Sequence, residues 1–317
     1  MVLDKQFVFI VGAPRSGTTW LQTMMGVHPQ VCTSVELTLY SGYIAPWMKL
    51  WKQETDAIEA GRFHQGLPFL WSEDEFYGFL REFLRRVYER VLATNPTGTH
   101  ILDKHPAYTL YIDDINRLLP ESLFVHLIRD GRDVAASLVA ARADMGFGTA
   151  TIRESASLWK TYIQAARQAS RYEGRYLEIR YEEMLKTPSN VLSSVFRFCG
   201  LSDEASLVSK IAEQHEFKKM KADLRMPVEG IHAPAAHYRK GRSGAWKEDL
   251  TRMQAYEFER IAGDLLVQLG YAQSGWWAGN RFQEIVLPRL ARFSDARQKI
   301  VSALRFVRSK SFLQMGR

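Results

Sequence analysis

Apolar positions along the chain follow two patterns. Short, largely apolar runs occur at Phe7–Val11, Leu123–Ile128 and Tyr176–Ile179, with a weaker one at Thr99–Leu102. Continuous rather than alternating hydrophobicity predicts strands covered on both faces, as in a parallel sheet. Helical spacing fills the intervals. Glu73–Ala93 places apolar residues at 76, 79, 80, 83, 84, 87, 88 and 91, which predicts one amphipathic helix. Val134–Ala143 and Thr151–Tyr172 are alanine-rich and charged. Pro188–Cys199 opens on proline and closes before Gly200, and Leu250–Leu269 closes before Gly270. Strands alternating with helices predict an α/β fold, a three-layer α/β/α arrangement on a central parallel sheet with right-handed crossovers. Gly61–Trp71 and Lys221–Trp246 lack periodicity and are expected to be long loops of the lid or binding kind. Residues 1–275 are expected to form one domain, and 276–317 a C-terminal helical extension.

The first strand runs directly into Gly12-Ala13-Pro14-Arg15-Ser16-Gly17-Thr18-Thr19-Trp20, after which a helix is predicted. A strand–loop–helix with two glycines turns backbone N–H groups and a helix N-terminus into one concavity, which favours an anion. Arg15 adds a planar fork suited to phosphate oxygens, and Ser16, Thr18 and Thr19 add hydroxyls. The glycine spacing matches the P-loop of nucleotide triphosphatases, but Thr18 occupies the lysine position and no strand ends in a convincing Walker-B aspartate. The missing lysine and the lack of an obvious metal holder argue against ATP hydrolysis.

Two further segments have the same character. Leu123–Ile128 leads into Arg129-Asp130-Gly131-Arg132-Asp133, with Ser137 two helical turns on. Arg129 stands at the carboxyl end of a strand, where open α/β sheets bind ligands. Arg132 reads as a solvated or structural charge. Arg239-Lys240-Gly241-Arg242-Ser243-Gly244-Ala245-Trp246-Lys247 combines cations, glycines and tryptophan in a manner suited to closing over a phosphate.

In this order, the three segments resemble those of sulfotransferases that use 3′-phosphoadenosine-5′-phosphosulfate (PAPS), over about residues 7–270. The resemblance implies a P-loop-like fold, transfer of a sulfuryl group from PAPS to a hydroxyl or amine, release of PAP (3′-phosphoadenosine-5′-phosphate), and no metal. Pro14–Trp20 is similar to the 5′-phosphosulfate loop, with arginine as in bacterial, tyrosylprotein and other carbohydrate-modifying relatives. Arg129 and Ser137 are similar to the 3′-phosphate pair. Arg239, Lys240 and Gly241 are similar to the R-K-G segment, whose usual aspartate is Ala245 here. Tyr181 and Phe217 match aromatic positions that, with Trp20, would surround the adenine. Lys104 is expected at the transferring sulfate or bridging oxygen. Two general bases compete: Glu36, similar to the glutamate of the glycan and tyrosylprotein branch, and His105, similar to the histidine of the cytosolic branch. Glu36 is favoured. A non-catalytic PAPS- or PAP-binding module is the alternative, and a P-loop kinase or NTPase a weaker one.

Composition limits the partners. Apolar residues make up 46% and charged residues 24%, an ordinary globular balance. Residues 281–317 hold nine Lys or Arg against two acids, so this tail carries the whole net charge of +7 and the remainder is balanced. A neutral body with a basic tail is not a nucleic-acid binder. Apolar residues at 286, 290, 293, 300, 304 and 307 give the tail one helix face, suited to peripheral contact with an anionic membrane or, preferred here, to docking on its own domain or in a homodimer. Cys32 and Cys199 read as free thiols. Phe7–Val11 is too short for a signal-peptide core, and no run approaches the roughly 18 apolar residues of a membrane span, so the chain reads as cytoplasmic. The acceptor is expected under Leu37–Leu70 and Leu224–Tyr238. The aromatic residues of the first segment suit a small-molecule phenol, polyketide or lipid better than a polyanionic glycan; the equal alternative is a helical cap with its own core.

Overall fold

The computed structural model describes residues 2–62, 65–216, 241–278, 283 and 285–291. Five parallel strands form one sheet: β1 (Gln6–Val11), β2 (Val31–Thr33), β3 (His100–Lys104), β4 (Leu123–Ile128) and β5 (Tyr176–Arg180), in the order β2-β3-β1-β4-β5. The register pairs Phe9 of β1 with Asp103 of β3 and with Phe124 of β4. β1 is therefore central, and its six residues feed straight into the glycine loop. The short β2 was not foreseen, and β3 runs two residues further than expected, to Lys104.

Alternation along the strands supplies two apolar faces. Val8 and Ile10 of β1 face one core with Leu102, Val125 and Ile179. That core is covered by α1 (Thr18–Gly26), α7 (Tyr181–Lys186), α8 (Pro188–Cys199) and α9 (Ala205–Gln214). Phe7, Phe9 and Val11 face the opposite core, covered by α2 (Ala45–Glu59), α3 (Glu73–Leu92) and α4 (Ile112–Leu118). A third cluster joins α5 (Gly131–Met145), α6 (Ile152–Arg167) and α11 (Arg252–Gln268) around Trp159 and Phe258. A single turn, α10 (Trp246–Asp249), precedes α11. The result is the α/β/α sandwich expected, with every strand's carboxyl end at one edge.

Several details depart from the periodicity. α5 begins at Gly131, three residues before the expected start, because Asp130 accepts from the Arg132 N–H and caps it. α6 gives way to a 3₁₀ turn at Gln168–Arg171. Within Gly61–Trp71 a 3₁₀ turn forms at Leu67–Phe69. In the extension, Leu287 and Ala291 are buried and Leu290 is exposed, so this stretch does not bury the face that includes 290. Residues 292–317 lie outside the described residues. No described helix is long and apolar enough to cross a membrane.

Candidate active site

The glycine loop is built by close approach. Gly12 has φ 148°, and a Cβ there would stand 2.6 Å from the Leu127 carbonyl oxygen of β4. Gly17 has φ 96°, and a Cβ there would meet the Tyr181 ring at 2.7 Å. Both positions require glycine. Thr109 fastens the loop from the far side: its Oγ accepts from Gly12 N–H at 2.8 Å and donates to the Gly12 carbonyl at 3.3 Å. Gly17 is the N-cap of α1 and supplies no side-chain cap. The first turn thus presents its N–H groups to the cavity, the arrangement that attracts an anion.

Arg15 has φ 70°, a left-handed conformation that costs energy away from glycine. Arg129 holds it there, donating from Nη1 to the Arg15 carbonyl at 3.0 Å. Arg15 Nε in turn donates to Ser137 Oγ at 3.0 Å. Arg129 Nη2 donates to the Arg242 carbonyl at 3.3 Å, and its guanidinium lies 4.3 Å from the centre of the Tyr181 ring. Arg129 therefore touches all three sequence motifs. Burial pushes the Tyr181 hydroxyl's pKa up, against the pull of Arg129.

The third motif is anchored by a residue that the sequence reading left at a helix start. Asp133 accepts from Gly244 N–H and Trp246 N–H, each at 2.8 Å. Burial raises its carboxyl pKa, while Arg129 and the two amides oppose that rise. The loop whose usual aspartate is Ala245 is thus held by a carboxylate from α5. Arg132 is structural and not solvated: it pairs with Asp130 at 2.7 Å and lies 4.0 Å and 4.5 Å from the ring centres of Trp246 and Trp276.

One cavity of about 330 Å³ unites these elements. Arg15, Gly17, Thr18, Thr19, Arg129 and Ser137 line it from the first two motifs, Gly241 and Ala245 from the third, and Trp20 and Tyr181 add aromatic surface. Trp20 Nε1 donates to the His215 carbonyl at 2.7 Å, tying the site to the end of α9. Phe147, 5.9 Å from the Arg15 guanidinium, is a further lining residue that no motif announced. Ser16 lies beneath the surface, with its hydroxyl buried and unpartnered among the described residues. Phe217, Arg239 and Lys240 lie outside the described residues.

Glu36 and His105 line the same cavity. Lys104, fully buried, does not line it. It lies behind the surface and donates to Glu36 Oε1 and, at 2.9 Å, to Thr19 Oγ. Burial lowers the Lys104 pKa, and the Glu36 carboxylate opposes this. His105 Nε2 stands 3.6 Å from Glu36 Oε2. The three candidate residues form one cluster. Burial lowers the His105 pKa against the pull of Glu36, so the ring is neutral near pH 7. Its Nδ1 accepts from Ala107 N–H at 3.2 Å. The neutral ring then carries its proton on Nε2, toward Glu36, and has no second lone pair to offer. Glu36, one-third exposed, keeps acceptor capacity on the cavity side. Among the described residues no cluster of three His, Cys, Asp or Glu side chains is arranged to hold a metal ion.

Comparison with known proteins places this geometry. Nodulation protein NoeE of Sinorhizobium fredii is 27% identical over 299 residues, 84% of this chain and 66% of that protein. Protein-tyrosine sulfotransferase 2 of Gallus gallus is 25% identical over 205 residues, 63% of this chain. The chain spans about half that relative's length, 52%. Among solved structures, mouse sulfotransferase SULT7A1 complexed with PAP shares the fold at TM-score 0.56 and 18% identity, over 85% of this chain and 90% of that one. The sulfotransferase domain from the curacin biosynthetic pathway does so at TM-score 0.51 and 19% identity, over 82% and 97%. A family model described as Sulfotransferase family matches residues 7–205, more than half the chain, and the chain belongs to that family.

Proposed function

We propose that this protein transfers a sulfuryl group from PAPS to a hydroxyl or amine, with Glu36 as general base. The observation that carries this is the sharing of one cavity by two opposite chemistries: Arg15, Arg129, Ser137 and the open end of α1 on one side, Glu36 backed by Lys104 on the other. In this reading Arg15 and the first-turn N–H groups of α1 hold the 5′-phosphosulfate. Arg129, Ser137 and the Gly241 backbone, with Arg239 and Lys240, hold the 3′-phosphate. Trp20, Tyr181 and Phe217 enclose the adenine.

The step is an in-line displacement at sulfur. The acceptor oxygen or nitrogen forms a bond to sulfur, the bond from sulfur to the 5′-phosphate oxygen breaks, and the acceptor proton goes to Glu36. Arg15 meets the charge that develops on the leaving phosphate. Lys104 fixes the Glu36 carboxylate and the Thr19 hydroxyl together, so base and phosphate loop stay in register.

The cavity and its relatives also support an acceptor class. Aromatic lining by Phe147 and Tyr162 in the cavity that Glu36 also lines suits a phenol or another small acceptor with an apolar ring, and relatives named as protein-tyrosine sulfotransferases support a phenolic acceptor. The free thiols Cys32 and Cys199 support a reducing, cytoplasmic setting. The test is incubation with PAPS and a panel of phenols, tyrosyl peptides, fatty alcohols and oligosaccharides, reading PAP release. Release that depends on one acceptor class supports the proposal. PAP binding without release under any acceptor would leave a binding module, and ATP turnover would indicate a kinase or NTPase.

A further inference from the structure

A second cavity, of about 240 Å³, lies between α2, α3 and the turn that joins them. It shares no lining residue with the sulfuryl-transfer site. α2 contributes Trp47, Trp51 and Glu54, spaced by four and three residues and so on one helix face. Leu50 of α2, Leu67, Trp71 and, from α3, Phe76 and Phe79 complete it. Trp51 stacks flat on Phe76, with centroids 4.3 Å apart and 9° between planes, and forms a floor. Trp47 and Trp71 flank Phe79 at 5.9 Å and 5.8 Å, tilted by 46° and 49°, and form walls. Trp51 and Phe76 also belong to the core under α3, whereas Phe79 is 45% exposed and leaves the cavity open on its side.

Glu54 is the one charged side chain among the residues lining this cavity. Its carboxylate accepts from the Leu67 N–H at 3.2 Å. Gly66 permits that approach, since a Cβ there would stand 2.9 Å from the Glu54 carboxyl group. One hydrogen bond thus ties the carboxylate to the rim of a largely apolar cavity whose walls are mostly aromatic. Ring faces carry negative potential, and Glu54 adds a full negative charge. The first turn of α3 adds Glu73, Asp74 and Glu75, while Lys49, Lys52 and Asp56 of α2 lie off the groove face. An anion meets repulsion here, and a neutral acyl chain gives Glu54 no counter-charge. A weakly hydrated organic cation meets both the rings and the carboxylate.

We propose that this groove binds a ligand with an alkyl- or aryl-trimethylammonium group, independently of the sulfuryl-transfer site. The probe is benzyltrimethylammonium, titrated into the full chain by tryptophan fluorescence, against neopentylbenzene, its neutral isostere. Saturable quenching is expected from the cation, with binding of the isostere weaker by about tenfold or more. Glu54→Gln should weaken the cation by about tenfold and leave the isostere unchanged. Trp47→Leu keeps apolar surface but removes a π-face, and should likewise weaken the cation selectively. Equal affinity for cation and isostere, or no saturation with the cation, overturns the proposal on the unsubstituted protein alone, so the conclusion does not depend on the variants folding. An unchanged cation affinity in folded Glu54→Gln also overturns it.

Discussion

Lys104 donates to Glu36 from a position with no solvent exposure at the end of β3. This places the positive end of the pair inside the fold and the negative end in the cavity wall. A lysine here cannot reach bulk water as it could on a surface, so its charge is sustained by Glu36 and by the Thr19 hydroxyl. The pair couples the end of the sheet to the phosphate loop through two side-chain bonds. The consequences are separable by substitution.

Glu36→Gln should lower kcat by about 10²-fold or more while PAP affinity changes little, because the base is lost and the donor contacts remain. Lys104→Met should lower kcat by a comparable amount, through loss of the charge that positions Glu36. Steady-state kinetics with PAP titration checks both. A Glu36→Gln enzyme with more than about a third of the normal rate would remove Glu36 as base.

His105 provides the counter-test, and pH provides the readout. Burial holds its pKa below the usual 6.5, so any limb it contributed to kcat/KM would fall below that pH. With Nδ1 taken by the Ala107 N–H, the expected role is support for Glu36 and not proton acceptance. His105→Ala should therefore slow turnover by a few fold and keep the acidic limb of the profile. Disappearance of that limb in His105→Ala, with Glu36→Gln still active, would transfer the base role to the histidine.

The glycine loop and the Arg129 turn were legible because their signals are local. A strand, a glycine loop and a helix are adjacent in sequence, so Phe7–Trp20 and Leu123–Ser137 announced themselves. β2 was missed because three residues, Val31–Thr33, are too few to show a period. α2 was submerged in an aromatic segment whose residues serve a core as well as a cavity. The preference for Glu36 over His105 rested in the sequence on resemblance alone. The contact that bears on it in the fold, the Ala107 N–H on His105 Nδ1, is set by the 3₁₀ turn at Pro106–Leu110 and leaves no local signal. The Asp133 anchor was hidden for a similar reason: its partners are backbone amides 111 and 113 residues away, and backbone groups leave no mark in a sequence.

That anchor carries its own prediction. Asp133→Ala leaves the buried Trp246 N–H and the partly buried Gly244 N–H without their acceptor, at a cost of about 1–3 kcal/mol for an amide that finds no substitute. Thermal stability should fall, and PAP affinity should fall with it by about tenfold or more, since the same loop presents Gly241 to the cavity. Calorimetric titration with PAP beside a thermal melt distinguishes the two effects. A lowered melting temperature with unchanged PAP affinity would show that the loop's grip on the nucleotide does not depend on Asp133.

On the opposite face of β3 from Lys104, Asp103 is buried and accepts from the Tyr88 hydroxyl at 2.8 Å. Beside it, Tyr108 accepts from the Leu39 N–H at 3.0 Å, three residues after Glu36, so this pocket underlies the segment that presents Glu36. Burial raises the Asp103 carboxyl to about 6, against the hydrogen bond from Tyr88. The folded pKa is above the ordinary value of 3.8, so folding favours the protonated form. Its contribution to stability is complete below pH about 4 and is lost as pH rises through about 6. The difference corresponds to about 3 kcal/mol across the whole window, and to about 2 kcal/mol between pH 4.5 and pH 8. Asp103→Asn keeps an acceptor for Tyr88 and cannot ionise. Its stability relative to the unsubstituted protein should therefore improve by about 2 kcal/mol on going from pH 4.5 to pH 8, measured by urea unfolding at both. A difference that stays constant with pH would mean that Asp103 remains ionised in the fold, with Lys104 sustaining the charge from across the strand.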